Sequence, residues 1–257
     1  GDVPSASIFS STPSGSGFFG TSVSISGDLL IVGGSSTSVS GHADIFIRSL
    51  SQWTHEYKII PSDGAAGDGF GKSVAIHGDY AIVGRSSYNS NRGAAYIFKR
   101  DATSSPPSWA QEYKFELSPG VSGDQFGHSV AIHGDYAIVG AYTSHGFKGS
   151  AYIYERDATS SPPSWAQRAN LQSQTPTLGD VFGFSVAIHG DYAIVGYPAP
   201  TEAYRGGPTD GAADIFKRDA TSSPPSWARE ATIVSGLTSN NQAFGSSVAI
   251  SDDTVIV

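Results

Sequence analysis

Phe70-Gly71-Lys72-Ser73-Val74-Ala75-Ile76-His77-Gly78-Asp79-Tyr80-Ala81-Ile82-Val83-Gly84 recurs almost unchanged along this chain. The copy from Phe126 to Gly140 differs only by His128, and the copy from Phe182 to Gly196 only by Phe184. Weaker copies open at Phe19 and Phe244, so successive copies start 51, 56, 56 and 62 residues apart. A period near 50 residues belongs to propellers, since helical solenoids use shorter repeats. Within one copy, Ser73 to Ile76 alternates and is β-branched, as an inner strand requires. His77-Gly78-Asp79 is a tight hairpin turn, with glycine supplying the backbone angle, and Tyr80 to Val83 returns as an apolar strand. Ala94 to Arg100 reads as a third strand and Trp109 to Leu117 as an outer fourth. Asp101 to Ser108 is a loop, because Pro106 and Pro107 cannot feed a ladder. The fold expected is therefore all-β, a propeller of four-stranded antiparallel blades. Radial repetition leaves only short, protected strand edges.

The copy number is not whole, and this sets the expected closure. Phe244 opens a copy that reaches Val257 after two strands. At the other end, Ile8-Phe9 precedes Phe19 by the offset at which Ile59-Ile60 precedes Phe70. Five blades closed by N- and C-terminal strands are expected, which would remove two exposed edges; a fragment of a seven-bladed ring is the alternative. One domain, 1–257, divides into a closing outer strand and link (1–18), blades at 19–69, 70–125, 126–181 and 182–243, and the first half of a fifth at 244–257. The chain begins at Gly1 and has no methionine, which is read as a processed mature chain or a fragment of a longer one.

Composition narrows the function. The 257 residues are 39% hydrophobic and only 15% charged, with 31 glycines, so turns are plentiful and long helices are not expected. The formal net charge of −8 argues against a nucleic-acid partner, which selects a basic face. Without cysteine there is no disulfide framework, thiolate metal site or cysteine nucleophile. No apolar run approaches the roughly 18 residues of a membrane-spanning helix.

The motif resembles the FG-GAP repeats. That family has Phe-Gly opening the inner strand, Ser-Val soon after, and an apolar run ending in glycine. The matching positions are Phe70-Gly71-x-Ser73-Val74 and Ala81-Ile82-Val83-Gly84, with equivalents at Phe19, Phe126, Phe182 and Phe244. The resemblance implies a β-propeller of an extracellular or cell-surface interaction protein. It also implies a structural role for Phe-Gly, the ring entering the core between blades and the glycine marking tight backbone packing. Calcium-binding members carry a D-x-D-x-D-G-x-x-D loop between the first two strands. Here the turn is His77-Gly78-Asp79, too few oxygens for a cation that needs six to eight. No calcium site, other metal or cofactor is expected.

In such blades the turns between strands one and two, and three and four, share one face. That face repeats: His-Gly-Asp occurs three times, and so does Arg-Asp-Ala-Thr-Ser-Ser-Pro-Pro-Ser-Trp, from Arg100, Arg156 and Arg218. The opposite face carries what differs. Candidate partner-binding residues there are Lys72, His128 and Phe184, each following Phe-Gly, with Tyr88, Arg92, Tyr142, His145, Phe147, Tyr197, Tyr204 and Arg205 from its loops. Tyrosine and arginine are enriched at recognition hot spots, although loops between near-identical repeats also drift without selection. His77, His133 and His189 occupy identical turns, which radial blades are expected to hold apart, so no zinc site is inferred. Trp53, Trp109, Trp165 and Trp227 are expected to pack between blades. Neither a G-x-S-x-G nor an H-E-x-x-H motif occurs. The expected function is a non-catalytic interaction or structural protein, not an enzyme, binding a protein partner or its own copies, with a glycan as the alternative ligand.

Overall fold

The computed structural model of the chain describes residues 8–11, 17–50, 52–198, 211–236 and 243–257. Four four-stranded antiparallel sheets follow one another, each with its strands side by side in chain order. The first blade holds β1 (Gly17–Ser26), β2 (Leu29–Ser36), β3 (His42–Ser49) and β4 (Gln52–Ile59). The second holds β5 (Phe70–His77), β6 (Tyr80–Arg85), β7 (Ala94–Asp101) and β8 (Ser108–Phe115). The third holds β9 (Ser129–His133), β10 (Tyr136–Ala141), β11 (Ser150–Asp157) and β12 (Ser164–Leu171). The fourth holds β13 (Ser185–His189), β14 (Tyr192–Tyr197), β15 (Ala212–Asp219) and β16 (Ser226–Val234). A hairpin of β17 (Ala249–Ser251) and β18 (Thr254–Ile256) follows. The architecture is an all-β propeller of four-stranded blades.

Inside each blade the alternation seen in the sequence sets which side faces which neighbour. In β5 and β6, Val74, Ile76, Ala81 and Val83 pack back against Leu29, Ile31, Ala43, Ile45 and Ile59 of the first blade. The opposite pleat, Ala75, Ile82, Ala95 and Ile97, packs forward against the third blade. Each blade is thus apolar on both faces, which is why the second strands read as continuous apolar runs. Every third-to-fourth strand pair carries a register shift at the same place, Ile45/Phe46, Ile97/Phe98, Ile153/Tyr154 and Ile215/Phe216. Such an irregularity increases strand twist.

The Phe-Gly pair acts as the resemblance implies. Phe70, Phe126 and Phe182 are fully buried in the inter-blade layers. Gly127 has φ +86, and a side chain on Gly84 would overlap the Gly127 carbonyl oxygen. The glycine that ends one blade's apolar run therefore lets the next blade's Phe-Gly backbone approach. Trp109, Trp165 and Trp227 also pack between blades, whereas Trp53 lies beside Arg48 of its own blade. Trp109 and Trp165 are buried, and each indole N–H donates to a glutamate of the preceding blade's outer strand, Glu56 at 3.2 Å and Glu112 at 3.3 Å.

The expected closing segment, 1–18, lies mostly outside the described residues. Residues 17 and 18, assigned from sequence to the link, instead begin β1. Ser11 donates backbone N–H and hydroxyl bonds to Asp44 of β3 (3.1 and 2.7 Å), as the link before β5 approaches β7 through Asp63 and Tyr96. Among the described residues β18 pairs only with β17. Val23 and Ile25 on β1 are 62% and 61% exposed, whereas their counterparts Val74 and Ile76 are each 4% exposed. Among the described residues β1 meets the second blade through Ser22, Ser24 and Ser26, and no blade covers its Val23 and Ile25 side.

Candidate functional site

The variable face is built from the connections between second and third strands, each fastened to the link entering the next blade. Tyr88–Asn91 and Ser144–Phe147 form single turns. Their interiors enter the left-handed region, at Asn89 and Ser90 in one and His145 and Gly146 in the other. The carbonyls of Ser90, Asn91 and Arg92 accept from the amides of Gly123, Gln125 and Phe126. Phe147 and Lys148 do the same for Gly179, Val181 and Phe182. The loops are thereby held against the scaffold by main-chain bonds that do not depend on side-chain identity, so their side chains can vary without loss of position.

Four of the candidates come together at the positions after Phe-Gly and their neighbours. His128 lies 4.2 Å from Tyr142 and 5.0 Å from Phe184, centroid to centroid, and Tyr142 meets Phe184 edge-on at 5.5 Å. The Tyr142 hydroxyl donates to Gln125 Oε1 at 3.2 Å, which fixes the ring. Burial, then the charge of Lys72, lowers the His128 pKa to about 4, so the imidazole is neutral at physiological pH. Its Nδ1 is buried without a hydrogen-bond partner. The result is an aromatic platform with an exposed ammonium beside it. At the flanking copies, Thr21 and Ser246 spend their hydroxyls on nearby carbonyls, Phe18 and Ala243. The aromatic character is confined to the middle of the array.

The remaining candidates are distributed. Tyr88 lies against two cations, with the Arg85 guanidinium 4.3 Å and the Lys114 ammonium 4.1 Å from its ring centre. Arg92 lines a shallow hollow with Tyr88, Glu116 and Leu117. His145 Nδ1 is within 3.2 Å of both the Ser144 and Ser150 hydroxyls, and Phe147 is 38% exposed. Tyr197 is a correction: it is 6% exposed, stacks on Phe182 and donates to Asp214 Oδ1 at 3.1 Å. It ends β14 on the inward pleat, where Arg85 and Ala141 are also buried, so it is core. Tyr204 and Arg205 lie outside the described residues.

Sequence reasoning missed a set of buried polar centres, one per blade. The third-strand position occupied by Asp44, Tyr96, Tyr152 and Asp214 is their hub. Arg85 is fully buried and bonds Asp63 (2.8 Å), Asp68 (2.7 Å) and the Tyr96 hydroxyl (2.7 Å). Burial, only partly offset by Arg85, pushes the Tyr96 hydroxyl up to about 12. Asp44 and Asp214 hold the same place with opposite outcomes. Burial would raise Asp44, but hydrogen bonds from His42, Ser11 and His55 outweigh it and hold the carboxyl well below its usual range. At Asp214 burial prevails over Thr232 and Tyr197 and raises the pKa. The legible signal was a position that changes between copies inside an otherwise apolar strand.

The histidine turns also need correction. They are not held apart: His77 and His133 lie 4.3 Å apart, and His133 and His189 4.2 Å, centroid to centroid. Inner strands are neighbours around the propeller axis, so equivalent turns meet. Each Nδ1 accepts an amide N–H from the next turn, Gly134 to His77, Gly190 to His133 and Asp252 to His189, at 3.0–3.2 Å. A neutral ring so engaged carries its proton on Nε2, leaving no free lone pair for zinc. The turn carboxylates are likewise committed. Asp28, Asp135 and Asp191 pair with Arg48, Arg156 and Arg218, and Asp79 lies 3.8 Å from Arg100. One engaged carboxylate per turn does not fit the calcium cage of related repeats.

No curated protein sequence is matched by this chain. Among solved structures it is similar to one described as the structure of YjhT, at 17% identity and a TM-score of 0.48, over 99% of this chain and 73% of that one. It is also similar to Saccharomyces cerevisiae Sqt1, at 9% identity and a TM-score of 0.45, over 77% of this chain and 45% of that one. The FG-GAP repeat model matches residues 53–98, 109–154 and 165–216, more than half of the chain. Each match begins at the tryptophan of an outer strand and ends within the third strand of the next blade. The chain belongs to the FG-GAP repeat family.

Proposed function

We propose that the chain is a non-catalytic interaction protein of the extracellular space or cell surface that binds a protein partner through its variable face. The observation that carries this reading is the aromatic platform of His128, Tyr142 and Phe184 beside Lys72, placed where near-identical repeats differ. A rigid aromatic group costs little entropy on binding and offers a large contact area. An imidazole held neutral, with its pKa pushed down to about 4, is a poor general base at neutral pH, so the cluster is suited to contact rather than proton transfer. FG-GAP repeats are typical of protein-interaction modules, and no helix among the described residues is long and apolar enough to cross a membrane.

A glycan is the second reading, because the same stacked rings could pack on a sugar face. The test is one screen of the chain, with a chelator present, against an array of protein ectodomains and an array of glycans. Saturable binding to a protein, weakened at least tenfold by Phe184→Ala, is the expected result. Binding confined to glycans would make the platform a sugar site. Binding indifferent to Phe184→Ala and Tyr142→Ala would overturn the assignment of this face.

A further inference from the structure

Charge is divided unequally between the two faces. On the repeated face the arginines are spent on turn carboxylates: Arg48, Arg156 and Arg218 pair with Asp28, Asp135 and Asp191. Asp101, Asp157 and Asp219 remain exposed there, each met only by the hydroxyl and amide of the threonine two residues on. The variable face reverses this pattern. Asp68, Asp124 and Asp180 are buried, and each accepts an amide N–H of its own turn at 2.6–2.8 Å. Asp63 and Glu116 are both held by Lys114. Lys72, Arg92 and Lys148 are exposed, and among the described residues none of them forms a salt bridge. A chain of formal net charge −8 thus turns free cations toward one side.

Two of these cations border an apolar strip. The Phe147 carbonyl accepts the Gly179 and Val181 amides at 3.0 and 3.1 Å, and the Val181 carbonyl accepts the Phe184 amide at 3.2 Å. These bonds bring Phe147, Leu178 and Phe184 onto one ridge that ends at the His128–Tyr142 platform. Phe147 is 38% and Leu178 56% exposed. Lys148 follows Phe147 at the outer end, and Lys72 stands at the inner end, where its charge acts on His128. Arg92 holds in the second blade the place of Lys148 in the third, since each carbonyl accepts the amide of the next Phe-Gly phenylalanine. Exposed apolar side chains rimmed by charge mark interaction sites, and a strip fixed by main-chain bonds needs little ordering on binding.

We propose that the protein partner of this face presents an acidic segment carrying a large apolar side chain. The apolar group covers Phe147, Leu178 and Phe184, and carboxylates on either side of it meet Lys72 and Lys148. This rests on the variable-face reading and adds to it the chemistry of the partner. Charge pairs at the rim of a contact set encounter rate and selectivity more than bulk affinity, so the free cations reject basic partners while the strip supplies the contact. An anionic glycan would meet the lysines but has no large apolar side chain to cover Phe147 and Leu178.

A library of random dodecapeptides displayed on phage, panned on the purified chain at low salt, tests it. Enriched peptides are then synthesised and titrated. Aspartate or glutamate on both sides of a phenylalanine, leucine or tryptophan is the expected pattern. Lys72→Glu and Lys148→Glu should each weaken binding about fivefold or more, and so should raising salt to about 0.5 M. Lys99→Glu makes the same change of charge at the repeated-face end of β7 and should leave binding unchanged. All three lysines are exposed, so each variant keeps the wild-type melting temperature. Peptides that need Phe184 but carry no acidic residue, or that tolerate both reversals at Lys72 and Lys148, would overturn the acidic partner and leave the variable-face reading standing. Peptides indifferent to Phe184→Ala and to both reversals would overturn the two together. An empty selection would also overturn the proposal, whether or not heparin fragments bind in its place.

Discussion

Acidification should destabilise this protein through His128, by an amount that one substitution removes. The imidazole is buried among Tyr142 and Phe184, with Lys72 near it, and its pKa falls from 6.5 to about 4 on folding. At pH 7.5 the ring is neutral in both states and contributes nothing to the pH dependence. As pH falls below 6.5 the unfolded chain takes up a proton that the folded chain refuses, so stability is lost, and the loss levels off near pH 4. At 1.36 kcal/mol per pKa unit the full shift corresponds to about 3 kcal/mol, of which about 2 kcal/mol should be visible between pH 7.5 and 4.5. Carboxylates and the stacked His133 also respond in this range, so the comparison must be differential. Urea unfolding of wild type and His128→Phe at both pH values gives it. The aromatic replacement keeps the packing, as Phe184 does at the equivalent position of the next copy. Wild type should lose about 2 kcal/mol more than the variant on acidification. Equal losses would refute the claim that His128 is buried and neutral.

Further outcomes follow from the structure. Gly84→Ala should cost about 2–4 kcal/mol in urea unfolding, because the new methyl overlaps the Gly127 carbonyl across a blade junction. Gly134→Ala, with φ +57 and open space around it, should cost only about 1 kcal/mol, from backbone strain. Asp44→Asn should destabilise by about 2 kcal/mol at pH 7, since hydrogen bonds favour the charged carboxylate there. Asp214→Asn should be within about 1 kcal/mol of neutral in the same assay, since burial already disfavours its charge. Excess chelator should leave the melting temperature within a degree, because the strand-one to strand-two turns hold arginine-paired carboxylates rather than a cation cage; a drop of several degrees would contradict this.

The blade was legible in the sequence because its determinants are local and copied. The Phe70-Gly71 start, the glycine of each hairpin turn and the alternation of Ser73 to Ile76 each specify nearest-neighbour geometry, and three near-identical copies repeat the message. What was not legible depends on the rotation between blades, which no linear spacing encodes. The His77–His133–His189 stack is the clearest case: the turns are 56 residues apart in sequence and in contact around the axis. The Arg85 network escaped because it occurs in one blade only and its partners Asp63 and Asp68 come from the preceding link. Tyr197 was misplaced because it lies at the boundary between strand and loop, where pleat direction decides between core and surface. Of the variable face, the sequence located the positions that differ; the convergence of His128, Tyr142 and Phe184 appeared only with the strands in place.

Recognition through the variable face is the central claim, and one binding titration tests it most directly. A partner captured in the ectodomain screen is titrated against wild type, Phe184→Ala and a variant of the repeated face, Thr159→Ala, whose hydroxyl and amide close the Asp157 turn. The account predicts at least tenfold weaker binding for Phe184→Ala and unchanged binding for Thr159→Ala. The reverse pattern would place recognition on the repeated face and contradict it.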